Sequence, residues 1–232
     1  EPIQDAETNI LGSIRLLLAC REHGVRKIVY ASSAAAYGLL ETLPLRESLR
    51  PRPVSCYGAS KYTVEHYLRT AGVEWGLEWA ALRYANVYGP RQDPHGEAGV
   101  VAIFSNLLLD GKQPTIFGGG TLTRDYIYVE DVAEANRIAI ETDFSSEPDP
   151  VFNVSTGVQT TTNRVYELLS AALDVSIEPI RGPHRPGDVQ DSVLDSARFR
   201  EATGWAPRVS IEEGFERTAR YFRARAERGA AR

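Results

Sequence analysis

The chain has 232 residues, of which 43% are hydrophobic and 25% charged, with a formal charge of −5. This is the make-up of a globular protein with material for a sizeable core, and it excludes a disordered chain. The negative balance gives no general attraction to nucleic acid or anionic membranes. No apolar run reaches the ~18 residues of a membrane span. Cys20, Cys56 and the histidines His23, His66, His95 and His184 show no metal or redox spacing. Neither nucleic acid, membrane nor metal is expected as a partner, and the cytoplasm is the expected location.

In chain order, Ile10, Leu11, Ile14, Leu17 and Leu18 form one apolar stripe, which predicts a helix from Asp5 to His23 closed by Gly24 as a left-handed cap. Lys27 to Ser32 reads as a short, fully buried strand. Leu39 to Ser55 is polar and proline-punctuated, as suits a long active-site loop. A second helix begins around Tyr57 and ends near Gly72, and Trp79 to Tyr84 is the next strand. This alternation through Val87 predicts an α/β fold, part of a doubly wound parallel sheet of Rossmann type.

After Pro90 the pattern changes to a loop with Gln92, Asp93, Pro94, His95 and Gly96, an apolar helix over Val100–Leu109 and a strand over Thr115–Phe117. Gly118 to Gly120 reads as a hairpin or loop. A smaller α/β lobe is expected here. The chain then returns to the first sheet through Tyr126 to Val129, a helix near Asp131 to Glu141 and a strand over Val151–Val154. The expected division is 1–90 with 123–155 as one domain and 91–122 with 156–232 as a substrate-binding lobe. The arginine-rich end after Tyr221 reads as a solvated helix end.

The chemistry concentrates on Ser33, at the end of the first strand, and on Tyr57 and Lys61. Four residues is just over one helical turn, so phenol and ammonium share a helix face. An isolated tyrosine titrates near pH ~10, too high for efficient proton removal at neutral pH, and a nearby ammonium favours the phenolate. Ser33 would point into the crevice where open α/β sheets bind ligands. A Tyr-x-x-x-Lys pair arises by chance in roughly one chain in seven of this composition, so the surrounding blocks must carry the reading.

Those blocks are Asn9-Ile10-Leu11-Gly12, Tyr30-Ala31-Ser32-Ser33 through Tyr37-Gly38, Pro53 with Tyr57-Gly58-Ala59-Ser60-Lys61, Leu82-Arg83-Tyr84-Ala85-Asn86-Val87-Tyr88-Gly89-Pro90-Arg91, Thr123-Arg124-Asp125-Tyr126-Ile127-Tyr128-Val129-Glu130-Asp131-Val132, Phe152-Asn153-Val154-Ser155-Thr156-Gly157 and Arg185-Pro186-Gly187-Asp188. In this order they resemble the extended short-chain dehydrogenase/reductase family, and within it the nucleotide-sugar epimerases of the UDP-glucose 4-epimerase type. Members of that family open with a glycine-rich turn that holds the cofactor pyrophosphate. This chain has no such turn and no methionine, and by resemblance on the order of 80 residues are expected to precede it.

The resemblance implies NAD as cofactor and a UDP-sugar as substrate. Tyr57 would take the proton of a sugar hydroxyl, Lys61 would lower the tyrosine pKa and hold the nicotinamide ribose, and Ser33 would hydrogen-bond the reacting oxygen. Asn9 and Tyr84 would lie along the cofactor, although a helix-start hydrogen bond and a strand-end aromatic explain them equally well. Arg124 and Arg185 would grip the diphosphate, since guanidinium forks bind phosphate bidentately. Asp188 would accept from the nucleotide ribose and Asn86 would donate to a phosphate or sugar oxygen. Ala34 and Ala35 stand where the related 4,6-dehydratases carry an Asp-Glu pair, which disfavours dehydration. The segment Arg91 to Val101 most resembles bacterial UDP-glucose 4-epimerases. UDP-N-acetylglucosamine or UDP-glucuronate epimerases, reductases, and a truncated remnant without activity stay open as alternatives. The family also implies a homodimer through the two helices at Asp5 to His23 and Ser60 to Thr70.

Overall fold

The computed structural model of the chain describes residues 1–94, 99–185 and 187–230. His95, Gly96, Glu97, Ala98 and Pro186, all within segments singled out above, lie outside the described residues. The chain divides into two compact units, 1–85 with 133–155 and 194–206, and 86–132 with 156–193 and 207–232.

The first unit opens with α1 (Pro2–Asp5), a π-helical turn over Ala6–Leu11, and α2 (Gly12–Glu22). Proline suits the first turn because its missing N–H is one that a helix start leaves unpaired anyway. The helical stretch therefore begins three residues before the expected Asp5, and Gly24 follows it at φ 64°. β1 (Lys27–Ser33), β2 (Glu78–Tyr84) and β6 (Val151–Val154) form a parallel sheet in the order β1-β2-β6. In register, Ser32 faces Arg83, Ser33 faces Tyr84, and Leu82 faces Phe152. The central strand β2 is buried from Trp79 to Arg83, as a parallel strand with neighbours on both sides should be. β1 is less buried than its apolar run predicts, with Ser32 its one fully buried residue, because among the described residues it is an edge strand.

α3 (Cys56–Trp75) starts where Ser55 Oγ accepts from Gly58 N at 3.0 Å and ends at Gly76, in the left-handed region at φ 68°. It runs three residues past the expected stop at Gly72. A side chain at Gly72 would meet Trp79 Nε1 at 2.8 Å, so this glycine serves a close approach to the indole within the helix. Leu17 of α2, Val64, Leu68 and Ala71 of α3, and Trp79, Ala81 and Val151 of the sheet make one buried cluster.

In the second unit, β3 (Asn86–Tyr88) pairs in parallel with β5 (Thr123–Tyr128), and β5 pairs antiparallel with β7 (Gln159–Thr161). The expected return of Tyr126 to Val129 to the first sheet is thereby corrected. β3 takes Ile127 as the partner of Val87, and this places 123–132 in the second unit. Similarly, 194–206 belongs to the first unit, where α7 (Ala197–Thr203) packs Phe199 between Phe152 and Trp205. β4 (Thr115–Phe117) pairs with β8 (Ile180–Gly182). Gly118 to Gly120 form a 3-10 turn between β4 and β5. α4 (Val100–Leu109), α6 (Thr162–Leu173) and α8 (Ile211–Ala230) supply the apolar cluster of this unit, centred on Phe104, Leu108, Leu169, Phe215 and Tyr126. α5 (Val129–Glu141) follows β5 directly.

Candidate active site

Ser33 is the last residue of β1, in extended conformation, and its Oγ accepts from Ala35 N at 3.1 Å. That bond occupies a lone pair and leaves the hydroxyl proton to be donated. The turn over Ala34–Ala36 that follows lies against the first turn of α3. A side chain at Gly58 would collide with the Ala35 carbonyl oxygen, so glycine after Tyr57 is what lets helix and turn approach this closely. Lys61 Nζ donates to Ala31 O at 3.0 Å, two residues before Ser33, and lies 5.6 Å from the Tyr57 ring centroid and 5.1 Å from that of Tyr30. The structure thus gathers Ser33, Tyr57 and Lys61 at the carboxyl end of β1.

Burial lowers the Lys61 pKa from the usual lysine range, with the Asp5 carboxylate acting in the opposite direction. Tyr57 is 38% exposed, so its ring meets solvent at the open end of the sheet. An ammonium has three donors, and the bond to Ala31 uses one. Donors of this kind beside an accessible phenol fit the hydroxyls of a nicotinamide ribose, the end of NAD that these residues would hold.

Asn9 lies in the π-helical turn, its Nδ2 donating to Asp5 Oδ1 at 2.8 Å while its carbonyl accepts from Ser13 Oγ at 2.6 Å. Such turns inside a helix recur at functional sites. The Tyr84 hydroxyl donates to Asn136 Oδ1 at 2.8 Å, and burial raises its pKa, opposed by that hydrogen bond.

The second unit holds a cavity of about 240 Å³ lined by Asn86, Arg124, Arg185 and Asp188 together with Phe117 and Tyr126. Four of the five residues expected to contact the substrate therefore share one pocket, and the fifth, Ser33, belongs to the first unit. Their detailed arrangement differs from the separate duties that the sequence suggests. Arg185 Nε bonds Asp188 Oδ2 at 3.2 Å, and the guanidinium carbon lies 4.5 Å from the Phe117 ring centroid. Arg124 Nη1 donates to the carbonyls of Thr123 and Val189, both at 2.7 Å, which fixes the guanidinium at the wall. The cavity thus brings two guanidinium groups, which pair well with phosphate oxygens, beside an aromatic face and a carboxylate.

Sequence reasoning passed over the buried polar residues bonded to Ser32, the neighbour of Ser33. Glu65 of α3 and Arg83 of β2 form a buried ion pair at 2.7 Å. The signal was there to be read, since an arginine in the otherwise apolar Trp79-Ala80-Ala81-Leu82-Arg83 must find an acid. Asp125, also buried, accepts from Thr156 N, Thr156 Oγ1 and Gly157 N and so joins β5 to the segment after β6.

A family model described as the NAD dependent epimerase/dehydratase family matches residues 1–155. A UDP-glucose 4-epimerase of Mycolicibacterium smegmatis is 42% identical over 228 residues, covering 98% of this chain and 72% of the relative. Among solved structures, UDP-glucose 4-epimerase of Thermotoga maritima with UDP-glucose superposes with a TM-score of 0.92 at 46% identity, covering 97% of this chain and 72% of that one. A UDP-N-acetylglucosamine 4-epimerase from Methanobrevibacter ruminantium, in complex with UDP-N-acetylmuramic acid, superposes with a TM-score of 0.91 at 35% identity and the same coverages. With its parallel sheet, its gathered serine, tyrosine and lysine, and these similarities, the chain belongs to the NAD dependent epimerase/dehydratase family.

Proposed function

We propose that this protein is a nucleotide-sugar 4-epimerase that interconverts UDP-glucose and UDP-galactose through a transient 4-keto sugar. The observation that carries the reading is the gathering of Ser33, Tyr57 and Lys61 at the end of β1, followed by Ala34 and Ala35, which have no titratable group for expelling water. Bound along Asn9, Tyr57, Lys61 and Tyr84, NAD would supply reversible hydride acceptance at the sugar carbon. The Tyr57 phenolate accepts the hydroxyl proton as the C–O bond becomes a carbonyl, and the same proton returns when the carbonyl is reduced. Lys61 favours the phenolate. Ser33, its oxygen fixed by Ala35 N, donates to the reacting oxygen.

The work is divided in this proposal. The first unit holds cofactor and chemistry, with Asn9, Tyr57, Lys61 and Tyr84 along the cofactor. The second unit anchors the nucleotide through Asn86, Arg124, Arg185 and Asp188. Strong binding to the remote diphosphate leaves the sugar free to present either face, which is the economy an epimerase needs. A homodimer through α2 and α3 completes the proposal, motivated by Leu16, Leu18 and Tyr67, which are exposed on those helices. The Methanobrevibacter relative supports a second reading, in which the substrate is an N-acetylated UDP-sugar.

The test is conversion of UDP-galactose to UDP-glucose by the NAD-loaded enzyme. Conversion is expected, and Tyr57→Phe should lower kcat by roughly 10²–10⁴-fold. A folded, NAD-loaded enzyme that leaves UDP-galactose unchanged sinks this substrate assignment, and turnover of UDP-N-acetylglucosamine in its place moves the reading to the second.

A further inference from the structure

Glu65 and Arg83 lie within a chain of buried polar groups that reaches well beyond their ion pair. Glu65 is fully buried and Arg83 nearly so. Arg83 grips the carboxylate with two parallel bonds, Nε to Oε1 at 2.9 Å and Nη2 to Oε2 at 2.7 Å, and Ser32 Oγ donates to the same Oε1 at 2.6 Å. The Arg83 guanidinium carbon lies 4.6 Å from the centroid of the Tyr37 ring. The Tyr37 hydroxyl donates to Asn153 Oδ1 at 2.8 Å, and Asn153 Nδ2 donates in turn to the carbonyls of Leu45 and Asp195. One polar chain thus joins α3, β1, β2, β6 and the loop after Tyr37.

Stability alone is a poor reason for such a pair. Removing two charges from water costs several kcal/mol each, and well-packed apolar residues of similar volume often do as well or better. The forked pair offers one geometry in place of many, because a guanidinium and a carboxylate that share two bonds cannot slide past each other. It sits at a sensitive place. Tyr57, Lys61 and Glu65 follow one another at four-residue spacing on α3 and therefore share a face, while Ser32 is the neighbour of Ser33. The Lys61 bond to Ala31 O holds only when α3 keeps its register on β1.

We propose that Glu65 and Arg83 are positioning residues: their forked pair, clamped by Ser32, sets the register of α3 on β1 and so the placement of Tyr57 and Lys61 against Ser33. The assignment rests on the epimerase reading for what Tyr57 does, and its test includes a measurement made without turnover. The test variant is the double substitution Glu65→Leu with Arg83→Met, which preserves volume and removes the fork.

Lys61 reports the register directly. The protein has three lysines, Lys27, Lys61 and Lys112, so lysine-labelled NMR resolves each side chain, and Lys61→Met assigns the signal. The charged and phenolic groups around Lys61 are Asp5, Tyr30 and Tyr57. Loss of the seat at Ala31 exposes the ammonium, so its titration midpoint in the double variant should move up. In the same variant kcat should fall at least about thirtyfold with KM within about threefold of the parent, since displacement of reacting groups by about 1 Å can cost 10²-fold.

A folded double variant with an unmoved Lys61 midpoint overturns the proposal, whether kcat falls or not. An unchanged kcat together with a raised midpoint overturns it as well. If the double variant does not fold, Ser32→Ala removes only the clamp; a raised midpoint with kcat at least about threefold lower at constant KM is then expected, and no change in either overturns the assignment. If the parent enzyme turns over no UDP-sugar, the epimerase reading fails by itself and the Lys61 titration still decides the positioning role.

Discussion

Lys61 is costly to the fold in its charged form, the form that the proposed chemistry needs. Burial lowers its pKa, with Asp5 opposing. A base with a depressed folded pKa penalises folding while it is charged. The penalty is complete below the folded pKa and vanishes as pH rises through it to the unfolded value near ~10.4. Lys61→Met should therefore be the more stable protein at neutral pH, with an advantage that shrinks as pH climbs through that window. Urea denaturation of both proteins across pH checks this, and a pH-independent difference would contradict it. The same substitution should lower kcat, so stability and activity move in opposite directions, as is common at active sites. At this scale the sequence was informative for Ser33, Tyr57 and Lys61, because a four-residue spacing on a helix is a local property. It was less so for Arg185 and Asp188, which pair with each other at 3.2 Å. It was silent on Glu65, whose partner is 18 residues away on another element.

Elements formed where local chemistry and packing agreed. α3 begins at its Ser55 cap and α4 occupies the span its apolar run predicts. The exceptions have tertiary causes: Gly72 lies inside α3 because the Trp79 indole packs on it, and β5 joins β3 and β7 rather than the first sheet. α8, with many charged residues, is held by one face on which Phe215, Ala219 and Phe222 are buried. Phe215 packs against Tyr88 with ring centroids 4.8 Å apart and against Tyr126 at 6.5 Å. Phe215→Ala is expected to cost about 3–5 kcal/mol, from lost apolar burial and the cavity left behind. Denaturant unfolding followed by circular dichroism measures it, and a loss below about 1 kcal/mol would show that the helix is held by other contacts.

For the molecule as a whole, no helix among the described residues is long and apolar enough to cross a membrane. Two compact units each gather one set of the expected site residues, Ser33, Tyr57 and Lys61 in the first and the cavity lined by Asn86, Arg124, Arg185 and Asp188 in the second. The apolar residues left exposed on α2 and α3, with Leu16 at 55% and Leu18 at 49%, lead to a prediction at this scale. The protein should sediment as a dimer, and Leu16→Glu combined with Leu18→Glu should convert it to a monomer. A monomeric parent at micromolar concentration would refute the dimer.

The sequence by itself determined the α/β alternation, the phenol and ammonium sharing one helix face, and the family blocks that carry Asn86, Arg124, Arg185 and Asp188. All of these rest on short-range periodicity or on motifs contiguous in the chain. Only the tertiary structure decided that 123–132 joins the second unit and 194–206 the first, that Arg185 pairs with Asp188 beside Phe117, and that Glu65, Arg83 and Ser32 lock together next to Ser33. Those outcomes depend on pairing and packing between distant segments. There a buried charge accepts whichever partner the folded chain brings within hydrogen-bonding reach, and local pattern carries no information about which one that is.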